Sequence, residues 1–204
     1  MSVNSLGNSN SQDKTYVLLP KSASLEGLEF NEYALYFHHI LKNKGFVKST
    51  TGINGADIVV TADFDLRPQV TVTNAYIPTF GKTGISSSHT TGSINSGNIS
   101  MSTTYSPSYG VNGYAPAQFK RINYSGFLRL SAFSVKDWKQ GKKADKNELW
   151  TTYSHSWGSS PDLRVVMPYL VISISEHVGK NTERMINTEL DADDERIQSL
   201  INSL

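Results

Sequence analysis

Apolar residues in this chain recur at two periods, and each period predicts an element. Phe30, Tyr33, Ala34, Phe37 and Leu41 stand at i, i+3, i+4, i+7 and i+11, which lays one apolar stripe along a helix. Gly45 follows where a left-handed C-terminal cap is needed, and Lys42 and Lys44 suit the negative end of the helix dipole. Ile58, Val60, Ala62, Phe64 and Leu66 instead alternate with Val59, Thr61, Asp63 and Asp65. That is the two-residue period of a strand with one apolar and one largely polar face. Tyr16-Val17-Leu18-Leu19 is a shorter strand, stopped at Pro20 because proline has no N–H for the ladder. Phe46 and Val47 open another.

The second half of the chain carries the same two signals. Phe119 to Val135 reads as long β structure with a bulge at Gly126, and a polar turn over Lys139 to Asn147 leads to its hairpin partner, Leu149 to Tyr153. Ser159-Ser160-Pro161-Asp162 predicts a helix start with a serine cap and proline in the first turn. Leu163, Val166, Met167, Leu170, Ile174 and Val178 form its buried stripe, and Gly179 ends it. Pro168 lies inside and leaves the carbonyl of Arg164 without its donor, which predicts a kink. Met185 to Leu190 is expected as a last strand. Asp191 to Leu204 is expected as a terminal helix with Ile197, Leu200, Ile201 and Leu204 on one side. These elements predict a single α/β (α+β) domain, with a mixed sheet of about six strands packed with two main helices plus the C-terminal helix.

Between the halves lies an insertion, Gly81 to Pro116, whose thirty-six residues include one full charge, Lys82. Glycine, serine, threonine and asparagine fill it, and Tyr105, Tyr109 and Tyr114 close it. A structureless connection of that length inside a compact domain is unusual, and is usually functional or disordered. Gly84 to Asn98 is expected as the flexible part, with the tyrosines on a firmer returning arm packed on the body of the domain. Tyrosine beside small uncharged polar residues also makes adaptable recognition surfaces. The three tyrosines are therefore the candidate contacts for a binding partner.

Composition removes several functions. At 204 residues the chain suits one domain with a real core, here expected over 14–204 behind a flexible tail at 1–13. Nineteen basic and eighteen acidic residues leave a net charge of +1, against the basic footprint that nucleic acid requires. Lys139, Lys142, Lys143 and Lys146 cluster, but Asp137, Asp145 and Glu148 interleave with them as in a solvated turn. There is no cysteine, so disulfides, thiol catalysis and cysteine-ligated metals are excluded. No apolar run reaches the roughly 18–20 residues of a membrane-spanning helix. Ser2 to Gln12 is polar, with neither the basic nor the apolar region of a signal peptide. Two readings fit, a cytosolic protein with a floppy tail, or an export signal already removed with Met1 an expression start, and the second is the expectation.

Candidate chemistry is sparse. His38 and His39 are adjacent on a helix, about 100° apart, whereas a two-histidine metal pair needs i, i+4 spacing. Asp63 and Asp65 share a strand face about 7 Å apart, a spacing that could hold a cation or divide acid and base roles. A solvated strand face is the competing reading. Ser154-His155-Ser156 with Asp162 is the nearest thing to a nucleophile set. On a strand, however, the two serines point away from His155, and no Gly-x-Ser-x-Gly elbow is present. Asp191 to Glu195 lacks the glycine and distal glutamate of a calcium loop and reads as helix-capping acids. No phosphate-binding or dinucleotide motif occurs. No catalytic residue, metal ligand or cofactor is expected.

Several of these residues together form a pattern. Lys14 to Pro20, the segment Lys42-Asn43-Lys44-Gly45-Phe46, Gly55 to Val60, Glu148-Leu149-Trp150, Ser156, Ser159 to Arg164, Pro168 and Gly179 resemble the family called domain of unknown function 4136. The resemblance covers roughly Lys14 to Leu190. It implies a small bacterial cell-envelope protein of the kind that is often a lipoprotein. Such a protein is exported to the periplasm and anchored to the outer membrane by a lipid, here on a cysteine upstream of Met1. The family brings no established activity and no site residues. The resulting expectation is a non-enzymatic binding or assembly module of the envelope, whose candidate contacts Tyr105, Tyr109 and Tyr114 would meet an envelope protein or a cell-wall glycan. The alternative is a hydrolase or metal-dependent enzyme using Asp63, Asp65 or His155.

Overall fold

The computed structural model describes residues 1–7, 14–22, 27–142, 147–191 and 193–202. Its strands are β1 (Ser2–Gly7), β2 (Thr15–Pro20), β3 (Val47–Lys48), β4 (Ile58–Asn95), β5 (Asn98–Ser134), β6 (Glu148–Gly158) and β7 (Ile186–Asn187). Its helices are α1 (Leu28–Asn43), α2 (Val135–Lys139), α3 (Leu163–Ser175) and α4 (Glu195–Asn202), with a 3-10 turn at Gly52–Gly55. The strands form one mixed sheet in the order β3-β2-β4-β5-β6-β1-β7. β2 is parallel to β3 and β4, whereas β6 is antiparallel to β5 and β1. The chain divides into two compact units, Met1–Gln69 with Ile122–Leu204, and Val70–Arg121.

The first unit holds the core. Alternate residues of β4, β5 and β6 are buried, among them Phe64, Leu128, Leu130 and Trp150. The α1 stripe predicted from spacing is the buried one, and Phe30, Tyr33 and Phe37 all meet the Phe64 ring, with centroids 6.5, 5.2 and 6.0 Å away. Gly45 has φ 85°, the left-handed geometry in which glycine costs least. In α3 the buried side chains are Met167, Pro168, Leu170, Val171, Ile172, Ser173 and Ile174. Its cap is Asp162 rather than a serine: the carboxylate accepts the Arg164 N–H at 2.9 Å, and the Ser160 hydroxyl accepts from Asp162 one step earlier.

Other expectations need correction. Ser2–Gly7, expected as tail, is a strand between β6 and β7. Only Val3 is a buried apolar residue there, and the buried Ser5 hydroxyl is satisfied by Thr152 Oγ1 at 2.7 Å and the carbonyls of His177 and Lys180 at 2.8 Å. A polar strand can thus be internal when its hydroxyls are bonded. Gly126 is not at the irregularity of β5, which falls at Ala132/Phe133. A Cβ on Gly126 would stand 2.7 Å from Ser156 Oγ and 3.2 Å from Val166, so glycine serves close packing under α3. The stretch Lys139 to Asn147 follows a short helix, α2, whose Trp138 ring lies against Phe133. The last strand shrinks to two residues, α4 starts at Glu195, and Ile201 is exposed. Lys143, Asp145, Lys146 and Leu204 lie outside the described residues, as do 8–13 of the expected tail.

The second unit is a two-stranded ribbon. Every residue of the stretch expected to be flexible, Gly84 to Asn98, is strand except the turn Ser96-Gly97, whose φ values of 48° and 87° fit a tight two-residue hairpin. Side chains zip across the strands: Thr79 to Asn112, Thr83 to Ser108 and Thr90 to Thr103, at 3.1, 3.2 and 3.0 Å. Threonine suits extended backbone and these pairs add cross-strand hydrogen bonds, which explains why a low-complexity stretch forms strand.

Phe37 is fully buried on the helix face. Phe37→Ala should therefore cost about 3–5 kcal/mol in chemical denaturation, and a loss below about 1 kcal/mol would assign that face of α1 wrongly.

Candidate functional site

In the first unit, the sheet face formed by odd-numbered positions of β4, β5 and β6 carries an open concavity of about 590 Å³, lined among others by Asp63, Arg67, Ser125, Phe127, Arg129, Tyr153 and His155. The volume is in the range of small-molecule sites, roughly 300–1,000 Å³. Alternation brings these side chains together: Phe127 of β5 pairs directly with His155 of β6, and Arg129 with Tyr153. Ser125 Oγ and His155 Nε2 are hydrogen-bonded at 2.8 Å. Its charges are compensated: Arg129 donates to Glu148 at 2.8 Å, Arg67 to Asp65 at 2.6 Å, and Lys21 pairs with Asp63 at 3.7 Å. The Arg67 guanidinium also lies 5.7 Å from the Phe127 ring centroid, within cation–π range.

The carboxylates proposed from sequence are thus each engaged by a cation, and no group of three or more His, Cys, Asp or Glu suited to a metal occurs among the described residues. The nucleophile set is taken apart as the strand period requires. Ser154 is buried and bonded to Ser173 Oγ at 2.6 Å, and Ser156 is buried against the Gly126 carbonyl. Asp162 caps α3. The hydroxyl that does meet His155 is Ser125, which sequence reasoning missed. Its signal was the alternation Ser125-x-Phe127-x-Arg129, readable only once the β5–β6 register is known. Among the described residues no carboxylate is hydrogen-bonded to His155, so the third member of an acyl-transfer triad is missing.

Strong electrostatic perturbation occurs elsewhere in this unit. Burial pushes the Tyr16 hydroxyl up to about 12, and burial, then Lys48, holds His38 down at about 4. Tyr16 Oη and His38 Nδ1 are hydrogen-bonded at 2.8 Å and the rings are 5.7 Å apart. Neither lines the concavity, so this pair ties β2 to α1. Asp57 is structural in the same way. Its carboxylate accepts from the Thr15 N–H and hydroxyl at 2.9 and 2.7 Å, which lowers its pKa.

In the second unit, Tyr105, Tyr109 and Tyr114 are 60, 70 and 68% exposed. Phe80, Ile94, Ile99 and Met101 are likewise exposed. The outer edges of the ribbon have no strand partner among the described residues: β2 pairs with β4 only over Ile58–Ala62, and β6 with β5 only from Tyr124 onward.

No protein-family model matches the chain, and no curated protein matches it. Among solved structures it is similar to a PDZ domain protein from Parabacteroides distasonis, at 12% identity and a TM-score of 0.39, over 91% of this chain and 38% of that one. The chain thus spans well under half the length of that protein.

The depressed pKa of His38 has a sign. A histidine held neutral by folding adds stability that is complete above its unfolded value of 6.5 and is lost as pH falls through that value toward about 4. Denaturation of wild type and His38→Gln from neutral pH downward should show the wild type losing more stability over that window. A pH-independent difference between the two would remove the linkage.

Proposed function

We propose that this chain is a non-enzymatic binding or assembly module of a bacterial cell envelope, and that it makes its contacts through the ribbon Val70–Arg121. The observation that carries the reading is the ribbon's surface. It has large exposed side chains, Tyr105 and Tyr109 among them, on strands of almost no charge whose outer edges have no strand partner among the described residues. Unpaired strand edges are templates for further pairing, and exposed aromatic area is a common source of binding energy. The resemblance to the domain of unknown function 4136 family supports the periplasm, with a lipid anchor in the outer membrane, as the compartment. Its partner is an envelope protein or the cell-wall glycan. Nucleic acid is disfavoured by the near-neutral charge.

Two measurements test this. The gene upstream of Met1 should encode a signal peptide ending in a lipidated cysteine. Replacing Val70–Arg121 with a two-residue Asn-Gly turn should leave the melting temperature within a few degrees, because the core residues lie outside it and loop length costs little. The shortened protein, and the variant with Tyr105, Tyr109 and Tyr114 all changed to alanine, should lose binding to purified peptidoglycan or to crosslinked envelope proteins. Undiminished binding by both variants would exclude the ribbon as the contact.

A second reading is favoured by one observation, the Ser125–His155 hydrogen bond in the concavity. A histidine that accepts a serine proton makes the serine a nucleophile, and on this reading the chain is a hydrolase. A fluorophosphonate probe should then label wild type, and labelling should vanish in Ser125→Ala and His155→Gln. Absence of labelling in the wild type removes this reading.

A further inference from the structure

The distal ribbon has a second regularity that the binding reading leaves unused. In the returning strand, every even-numbered position from Asn98 to Asn112 is Asn, Ser, Thr or Gly. The odd-numbered positions are Ile99, Met101, Thr103, Tyr105, Pro107, Tyr109 and Val111. Successive strand residues face opposite sides, so one face is uniformly small and polar and the other largely apolar. Cross-strand contacts place β4 in the same frame, but there the division is not kept. Ile85 shares the face of Thr79 and Thr83, and Gly84, Ser86, Ser88, Thr90 and Gly92, small and uncharged, share the face of Met101, so the large apolar side chains of that face come mainly from β5. Ser108 and Asn112 bond Thr83 and Thr79 on the polar face. Thr103 bonds Thr90, Met101 lies beside Gly92, and the tight turn sets Ile94 beside Ile99 on the apolar face.

Three further facts say what covers that face. Thr83 to Pro116 contains no Asp, Glu, Lys or Arg, whereas an exposed edge in water is ordinarily protected by charge, lysine above all. Asn98 to Asn112 is 15 residues, about 50 Å at the strand rise and about 35 Å high at a 45° tilt, against a hydrocarbon thickness of about 30 Å. Finally, among the described residues the outer edges of the ribbon have no strand partner, and hydrocarbon tolerates such edges only where another strand pairs them. Pro107 is the one residue in that stretch without an N–H, which costs a closed ladder a single bond. No helix among the described residues is long and apolar enough to cross a membrane, but strands cross by a different rule: alternating residues and a closed barrel.

We propose that the distal ribbon is a membrane-spanning hairpin. Several copies of this chain pair their ribbons edge to edge into one β-barrel, with Ile99, Met101, Tyr105, Tyr109 and Val111 toward lipid and the serine- and threonine-rich face toward an aqueous lumen. This rests on the ribbon being the contact element and names its partners: copies of the same chain, and the bilayer.

The test exploits the absence of cysteine. Single-cysteine variants at Ser100, Met101, Ser102, Thr103, Thr104 and Tyr105, each carrying an environment-sensitive dye, are reconstituted by detergent dilution into phosphatidylethanolamine–phosphatidylglycerol vesicles. A lipid-attached quencher should dim the dyes at 101, 103 and 105, and aqueous iodide those at 100, 102 and 104. That period of two is the expected signature. Vesicles carrying wild type should release a trapped dye, and Met101→Asp should stop the release while leaving the melting temperature unchanged. A protein that binds no vesicles, or lipid quenching without the alternation, overturns the proposal. If sedimentation then still shows self-association that is lost with the ribbon, the assembly reading survives and only the membrane part falls. If self-association and envelope binding are both absent, the two fall together.

Discussion

The two-residue period of the strand is the constraint on which the rest of this structure depends. Along β6, and along β5 from Gly126 to Leu130, it decides whether a side chain is buried with the helices or lines the open face, whereas Ile58 to Ala62 of β4 are buried on both faces. A one-residue slip of β6 against β5 would drive Tyr153 and His155 under α3 and expose Trp150, Thr152 and Ser154. The register is fixed because one face must accept the aromatic cluster around Phe64 and the other cannot. Gly126 shows how tightly: even a methyl group there would meet Ser156 and Val166. The Ser125–His155 pair exists only as a by-product of that register, since Phe127 is paired to His155 by the same ladder.

Where the sequence follows a single period with a conventional end, the element is legible. The α1 stripe, the Gly45 cap, the alternation of β4 and the opposition of Ser154 and Ser156 to His155 all belong to that class. Each is a local rule whose outcome does not depend on a distant partner. The elements that escape have a different physics. Ser2–Gly7 carries almost no apolar signal, and its place in the sheet is won by hydrogen bonds to residues about 150 positions away. No window of sequence contains that information. The two-residue β7 follows from the same strand, because it pairs with β1. The ribbon escapes when composition is weighed above alternation: its serines and threonines look like loop residues singly and like a strand face in every second position.

The residues behind the family resemblance serve the fold. Gly45 and Gly179 hold positive φ, Asp57 ties β2 to the start of β4, Asp162 caps α3, and Trp150 is fully buried. Such residues report how the chain folds and say little about what it does. The open face of the sheet supports the same division, since its cations and carboxylates neutralise one another. The more exposed pairs, Arg67–Asp65 and Lys21–Asp63, contribute little to stability, whereas the Glu148 side chain is largely buried against Arg129.

The energetics of the ribbon differ from those of the first unit. The first unit buries its apolar faces under helices, but the described residues of the ribbon have no buried apolar side chain. Isolated two-stranded hairpins are marginal in water. Cross-strand hydroxyl pairs and a well-formed turn hold the register without supplying the hydrophobic term that stabilises other strands. Additional strands at both edges would supply the missing backbone hydrogen bonds, and an apolar medium would remove the exposed isoleucine, methionine and tyrosine surface from water. Charge on either face would obstruct both outcomes, through repulsion between identical neighbours in one case and desolvation in the other. The sequence avoids charge from Thr83 to Pro116 and alternates small polar with larger residues along β5, so neither obstacle stands in the way of further strands.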